Sequence, residues 1–119
     1  MRVRTAIWIE DSNSQVSYGL GRQQILEAIR DCGSIQAAAA QLGMSYRGLW
    51  ARLRHSERRM NLSLVESHPG RGAQRGTTLT PAAIELMDAF AKLTREVRAA
   101  SDRAYEQHVE GILHAHAAD

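Results

Sequence analysis

The chain has 119 residues, which is enough for one domain with one modest hydrophobic core and leaves little room for a separate effector domain. Hydrophobic residues make up 44% of it, but neither a membrane span of roughly 20 apolar residues nor a signal-peptide pattern is visible, so we expect a cytoplasmic protein. Its single cysteine, Cys32, excludes an internal disulfide and is expected to pack, and the formal net charge of +2 is too small to indicate a partner.

The N-terminal third predicts a β-hairpin followed by a helix. Polar and apolar residues alternate over residues 2–10, as in a half-buried strand, and residues 15–18 follow a turn-rich segment as a short returning strand. A break is expected at residues 19–21. Residues 22–31 then place Ile25, Leu26 and Ile29 on one helical face, and Gly33 is a stop signal.

Two further helices joined by a tight turn are predicted in the middle of the chain. Ser34 can cap a helix whose apolar positions recur at helical spacing up to Leu42, and Gly43 ends it. Ser45 can cap a third helix that runs to about Met60, with a buried stripe of Leu49, Trp50, Leu53 and Met60. Together these elements form a helix-turn-helix pattern.

A wing and a long helix are predicted to complete the chain. Residues 62–66 and 77–79 indicate two short strands joined by a glycine-rich loop. Thr80 and Pro81 combine a capping hydroxyl with a proline at the first helical position, and the helix that they begin extends to about Gly111. Its apolar stripe is longer than so small a body needs. It can pack along the domain or pair with a second copy, and we favour pairing through Ile84, Met87, Phe90, Leu93, Val97, Ala100 and Ala104.

The expected fold class is therefore mainly α with small β hairpins. Residues 1–80 form a winged helix-turn-helix domain that includes the N-terminal hairpin, and residues 81–119 form a long dimerisation helix and tail. Charge is uneven along this plan, because residues 46–80 hold seven arginines against two glutamates whereas the last segment is acidic. Such asymmetry is typical of a protein that places one face against a polyanion.

The third helix carries the candidate DNA-reading residues. Helix-turn-helix proteins place the N-terminal part of their second helix in the major groove, where an arginine can donate to guanine O6 and N7 and a tyrosine can contact a phosphate or a thymine methyl. Arginines farther along the helix or in the wing can contact phosphates or a minor groove. The predicted DNA-binding residues are Ser34, Ser45, Tyr46, Arg47, Gly48, Arg54, Arg58, Arg71 and Arg75.

Other chemistry finds little support in the sequence. We expect no enzyme, cofactor or metal site, because no nucleophile stands with a histidine and a carboxylate at recognisable spacing and no paired cysteines occur. His108, His114 and His116 are interpreted as part of a polar tail. The glycine-rich loop lacks the Gly-Lys-Ser/Thr ending of a phosphate-binding P-loop. Two alternatives to a sequence-specific regulator stay open: a protein-interaction module and a nonspecific architectural DNA-binding protein.

The sequence resembles the N-terminal DNA-binding domain of ModE-type molybdate-responsive transcriptional regulators, which is related to the winged helix of LysR-type regulators. The matching stretches are Gly33-Ser34-Ile35 with the alanines after it, Leu42 to Arg47 with Trp50, Leu64-Val65-Glu66, the wing, and Leu79-Thr80-Pro81. The resemblance implies a dimer with Tyr46, Arg47 and the wing at DNA. The wing is less glycine-rich than is usual, and we expect a chain without the family's C-terminal molybdate-binding module, so molybdate sensing is not carried over. Three alternatives stay open: constitutive regulation, a sensor borrowed from a partner protein, and a response to another effector.

Overall fold

The computed structural model describes residues 1–68 and 76–118. Two antiparallel strand pairs, β1 with β2 and β3 with β4, accompany a set of helices. In chain order the elements are β1 (Trp8–Glu10), β2 (Val16–Gly19), α1 (Leu20–Cys32), α2 (Ile35–Leu42), α3 (Tyr46–Met60), β3 (Val65–His68), β4 (Gly76–Leu79) and α4 (Pro81–Tyr105), which continues as a π-helical segment (Glu106–Glu110) and α5 (Gly111–Ala115). The expected fold class, mainly α with small β hairpins and a long C-terminal helix, is confirmed. Among the described residues, no helix is long and apolar enough to cross a bilayer.

Local capping determines where the central helices begin and end. The side chains of Ser34, Ser45 and Thr80 each accept a hydrogen bond from the amide three residues later, at 3.0 to 3.1 Å, and so begin α2, α3 and α4. Gly33 and Gly43 end α1 and α2 in the left-handed conformation, with φ of 74° and 68°, which glycine adopts without steric penalty. These boundaries agree with the sequence prediction.

The N-terminal hairpin differs from its prediction. The first strand covers only Trp8–Glu10, and the expected break at residues 19–21 is wrong because α1 begins at Leu20. Gly19 is the last residue of β2 and lies opposite Trp8, where an added Cβ would come within 3.2 Å of the Trp8 Cβ. This glycine therefore allows β1 and β2 to approach closely and does not interrupt the structure.

The hydrophobic core joins the hairpin, the helices and the base of the wing. Its fully buried side chains include Tyr18, Ile25, Leu26, Ile29, Leu49, Leu53 and Leu64. The Tyr18 ring meets Phe90 edge to face, with centroids 5.1 Å apart, and burial raises the pKa of its hydroxyl. That hydroxyl donates to the Gln23 side chain, whose amide donates to the Met87 carbonyl at 2.9 Å. The first turns of α4 thus belong to the same core as the helix-turn-helix.

The predicted apolar stripe on α4 is corrected by this packing. Because 3.6 residues make one helical turn, Ile84 and Leu93, which are nine residues apart, lie on opposite sides of α4. Both are exposed, whereas Met87 and Phe90 between them are 4% and 3% exposed and fill the chain's own core. Residues that follow each other at intervals of three fall short of a full helical turn, so the predicted stripe winds around α4 and does not stay on one face. A surface of α4 that could meet a second copy includes Leu93 but excludes Met87 and Phe90.

Candidate nucleic-acid interface

The first turn of α3 stands at the protein surface. Ser45, Tyr46 and Arg47 are exposed, and Tyr46 keeps 52% of its accessible area. The Ser45 hydroxyl accepts from the Gly48 amide at 3.0 Å, and a Cβ added to Gly48 would lie 2.9 Å from that oxygen. Gly48 therefore leaves room for the cap, a role that the sequence analysis missed. Its predicted place among the DNA-binding residues stays a prediction.

Four exposed residues form a stripe along α3, which we call the α3 outer face: Arg47, Ala51, Arg54 and Arg58. Their spacing of four, three and four residues keeps them on one side of a helix. Leu49 and Leu53 on the other side are fully buried. Within residues 1–68 and 76–118, Arg47 and Arg58 make no ion pair. Among the described residues, the α3 outer face thus presents two guanidinium groups without an ion pair, that of Arg47 in the first turn of the helix and that of Arg58 near its other end.

Arg54, in contrast, is held in place by its neighbours. Its guanidinium carbon lies 4.6 Å from the centroid of the Trp50 ring, and its Nη1 donates to Glu57 Oε1 at 2.8 Å. The other Glu57 oxygen accepts from the Leu64 amide at 2.8 Å. Trp50, predicted as a core residue, is only half-buried and also meets Tyr46 edge to face at 6.5 Å. A continuous ridge of two aromatic rings and one guanidinium results.

Two other arginines, Arg22 and Arg59, each link two elements of the fold. Arg59 Nη1 forms an ion pair with Asp11 at 2.8 Å, which ties the end of α3 to the turn of the N-terminal hairpin. A hydrogen bond from the Gln15 amide, reinforced by Arg59, lowers the pKa of Asp11. Arg22 Nε donates to the fully buried Ser56 hydroxyl at 2.8 Å and so ties α1 to α3. Burial, together with the nearby charge of Arg52, lowers the pKa of Arg22.

The remaining predicted site residues are located as follows. Ser34 is half-buried and uses its hydroxyl to cap α2. Arg71 and Arg75 lie outside the described residues, so their contacts stay predictions. Between the two strands of the wing, His68 Nε2 and Thr78 Oγ1 are 2.8 Å apart. Within residues 1–68 and 76–118, no group of three or more potential metal-ligating side chains comes together.

Glu57 is the residue of this surface that sequence analysis missed. The only signals were its position three residues after Arg54 and its place in a basic helix, and neither distinguishes a buried carboxylate from a solvated one. Its second partner, the amide of Leu64, becomes a neighbour only when the chain turns back after α3. Tertiary contact therefore determines which arginine is free and which is held.

Comparison with known proteins agrees with this architecture. The chain is 41% identical over 71 residues to the molybdenum transport protein ModE of Herbaspirillum seropedicae and 36% identical over 72 residues to the molybdenum-pterin-binding protein MopB of Rhodobacter capsulatus. Each match covers 60% of this chain but only 26% and 27% of the relatives, so the chain spans about a quarter of their length. The resemblance to ModE-type regulators is thereby confirmed over this part.

Solved structures show the same fold. The DNA-binding domain of CbnR in complex with DNA gives a TM-score of 0.53 at 23% identity, covering 72% of this chain and 94% of that one. The BenM DNA-binding domain bound to benA site 1 DNA gives 0.53 at 17% identity, covering 76% and 96%. The family model for bacterial regulatory helix-turn-helix proteins of the lysR family matches residues 20–84. Since this match spans more than half of the chain, the protein belongs to the lysR family of bacterial regulatory helix-turn-helix proteins.

Proposed function

We propose that this protein is a sequence-specific DNA-binding transcriptional regulator that acts as a homodimer. The observation that carries the proposal is the α3 outer face, which places Arg47 at an exposed, capped helix start and Arg58 near the other end, neither of them in an ion pair within the described residues. Membership of the lysR family and the fold shared with domains solved on DNA favour a DNA-binding regulator over an enzyme. Duplex DNA and a second copy are the proposed partners, with a separate effector-sensing protein as a further one.

In this proposal α3 enters the major groove with its first turn foremost. Arg47 donates two parallel hydrogen bonds to a guanine edge, and Tyr46 contacts a phosphate or a thymine methyl. Arg58, near the other end of the α3 outer face, neutralises a phosphate. The loop with Arg71 and Arg75 follows the backbone or the minor groove, where negative potential favours arginine. The positive end of the α3 dipole adds a further attraction for phosphate oxygens.

Replacing Arg47 with alanine is expected to weaken binding to a selected duplex by about 1–3 kcal/mol and to relax base preference at one position. The reason is the loss of the bidentate contact. The measurement is fluorescence anisotropy with a duplex that the wild-type protein selects from a random-sequence pool, repeated with a scrambled duplex. Arg95→Ala on α4 removes the same charge from an exposed site and serves as the matched control.

The two alternative functions give different results in the same titration. A protein-interaction module shows no duplex binding even at low salt, where counterion release most favours association. An architectural protein binds the scrambled duplex as tightly as the selected one, and Arg47→Ala then lowers both affinities equally. A regulator binds the selected duplex more tightly than the scrambled one, and Arg47→Ala reduces this difference in affinity.

The homodimer is proposed to form along one face of α4. Leu93, Val97, Ala100 and Ala104 follow each other at spacings of four, three and four residues, which is the repeat of a two-helix seam. Leu93, Ala100 and Ala104 are exposed and Val97 is half-buried, so this face has apolar area to bury. The small side chains of Ala100 and Ala104 allow two helices to approach closely.

A glutamate in place of Ala100 should raise the dissociation constant of the dimer by at least roughly tenfold, because two like charges are brought together across the interface. Sedimentation equilibrium over a range of protein concentrations measures the effect. Ala99→Glu is the control, since it introduces the same charge one residue away on an exposed side of α4 that lies outside the seam. Equal effects of the two variants, or a wild-type protein that stays monomeric at high concentration, would refute the seam.

A further inference from the structure

We infer that Glu57 is a positioning residue for DNA recognition: it fixes the direction of Arg54 on the α3 outer face and ties α3 to the lead-in of the wing. This inference rests on the proposed function. The structural observation behind it is that one buried carboxylate, 9% exposed, gives one oxygen to an arginine side chain and the other to a backbone amide.

Both contacts of this carboxylate are required for its burial. A buried carboxylate is tolerated when its charge is paired and its remaining oxygen accepts a hydrogen bond, because an unpaired charge or an unsatisfied oxygen carries a desolvation penalty. Glu57 Oε1 meets Arg54 Nη1 and Oε2 meets the Leu64 amide, each at 2.8 Å. Leu64 is fully buried and immediately precedes β3. The orientation of Arg54 is therefore tied to the point where the wing begins.

Two neighbours restrict the Arg54 guanidinium. The Trp50 ring lies 4.6 Å from its central carbon, and Glu57 accepts a hydrogen bond from one of its N–H groups. Tyr46 packs edge to face against Trp50 and so extends the aromatic ridge beyond it. An arginine held in this way keeps several donors in a fixed plane but has part of its charge neutralised. Arg54 can donate hydrogen bonds to DNA in a fixed direction, but it is poorly suited to follow and neutralise phosphates. Glu57 thus favours discrimination between sequences over general attraction to phosphates.

The substitution Glu57→Gln tests the contact with Arg54 separately from the contact with the Leu64 amide. Glutamine has nearly the same shape and keeps an oxygen for the Leu64 amide, but it removes the charge that holds Arg54. We expect the ratio of affinities for the selected and scrambled duplexes to fall about tenfold. We also expect the slope of log affinity against log salt to steepen by roughly 0.9, because the released guanidinium reaches one additional phosphate. An unchanged ratio and slope would overturn the inference.

A double-mutant cycle identifies Arg54 as the group through which Glu57 acts. In an Arg54→Gln background, Glu57→Gln should have little further effect on the affinity ratio, because the side chain that it positions is gone. An equal fall in both backgrounds would show that Glu57 supports the fold only. If Glu57→Gln does not fold, Arg54→Lys at the exposed position takes its place, since lysine keeps the charge but loses the planar stack, and the same fall in the ratio is expected.

A spectroscopic readout that needs no DNA keeps this inference separate from the proposed function. In a Trp8→Phe background, Trp50 is the remaining tryptophan, and its emission reports the guanidinium above the ring. Glu57→Gln should shift or brighten that emission, and an emission identical to that of the parent would contradict the positioning role. A wild-type protein that binds no duplex would contradict the proposed function while leaving the emission result intact.

Discussion

Replacing Gly76 with alanine is expected to lower the free energy of unfolding by about 3 kcal/mol, by combining backbone strain with a lost hydrogen bond. Gly76 begins β4 with φ of 135°, a conformation that L side chains rarely adopt. A Cβ there would lie 2.6 Å from the carbonyl oxygen of Gly33, between α1 and α2. The same oxygen accepts from the Thr77 amide at 3.1 Å, so the clash cannot be relieved without moving β4 away and breaking that bond.

Equilibrium unfolding in denaturant, followed by circular dichroism, measures this change. Two other glycines are graded controls. Gly43→Ala meets a left-handed φ of 68° but open space, and should cost about 1 kcal/mol. Gly111 lies in a helix with φ of −62° and open space, so its alanine variant should be neutral or slightly stabilising. A Gly76→Ala protein as stable as the Gly111→Ala protein would contradict the geometry.

The contact at Gly76 also has a functional consequence. It attaches the second strand of the wing to the corner between α1 and α2, while Thr80 Oγ1 donates to the Ser63 carbonyl at 2.7 Å and closes the base of the wing from the other side. Glu57 joins α3 to the same region through Leu64. The base of the wing and the candidate recognition helix are thus linked by short polar contacts, as a surface that must match a duplex requires.

The helix-turn-helix could be predicted from sequence because its signals are local. A serine or threonine cap accepts from an amide three residues away, and a left-handed glycine ends a helix within the same turn, so the beginnings of α2, α3 and α4 depend on few distant contacts. The exposed first turn of α3 follows from the same signals. Ser45, Tyr46 and Arg47 were therefore placed on the surface correctly.

Features that depend on tertiary contact could not be predicted in this way. Gly19 was interpreted as a break, but the packing of Trp8 against it requires a glycine within continuous structure. Arg54 was predicted to be a DNA-binding residue, but its contacts with Glu57 and Trp50 were not predicted. Both outcomes depend on which residues meet across the fold. Sequence spacing gives the face of one helix and does not give the partner that covers it.

Phe90→Ala is expected to lower the free energy of unfolding by about 3–5 kcal/mol, the usual range for removing a buried aromatic ring. Phe90 is 3% exposed and packs against Tyr18, so its loss leaves a cavity where α4 meets the hairpin and α1. This result distinguishes a core residue from the dimerisation residue that the sequence pattern predicted. Because the contact is within one chain, the loss should be the same at every protein concentration.

Leu93→Ala provides the contrast, since Leu93 is 40% exposed on the opposite side of α4 from Ile84. Its effect on the isolated chain should be small. Any loss of apparent stability relative to the wild type should therefore be largest at high protein concentration, where a second copy stabilises the wild-type fold by mass action, and should shrink on dilution. Thermal unfolding at several concentrations separates the two behaviours. A Phe90→Ala protein that is less stable than the wild type only at concentrations where the wild type dimerises would assign Phe90 to the interface and not to the core.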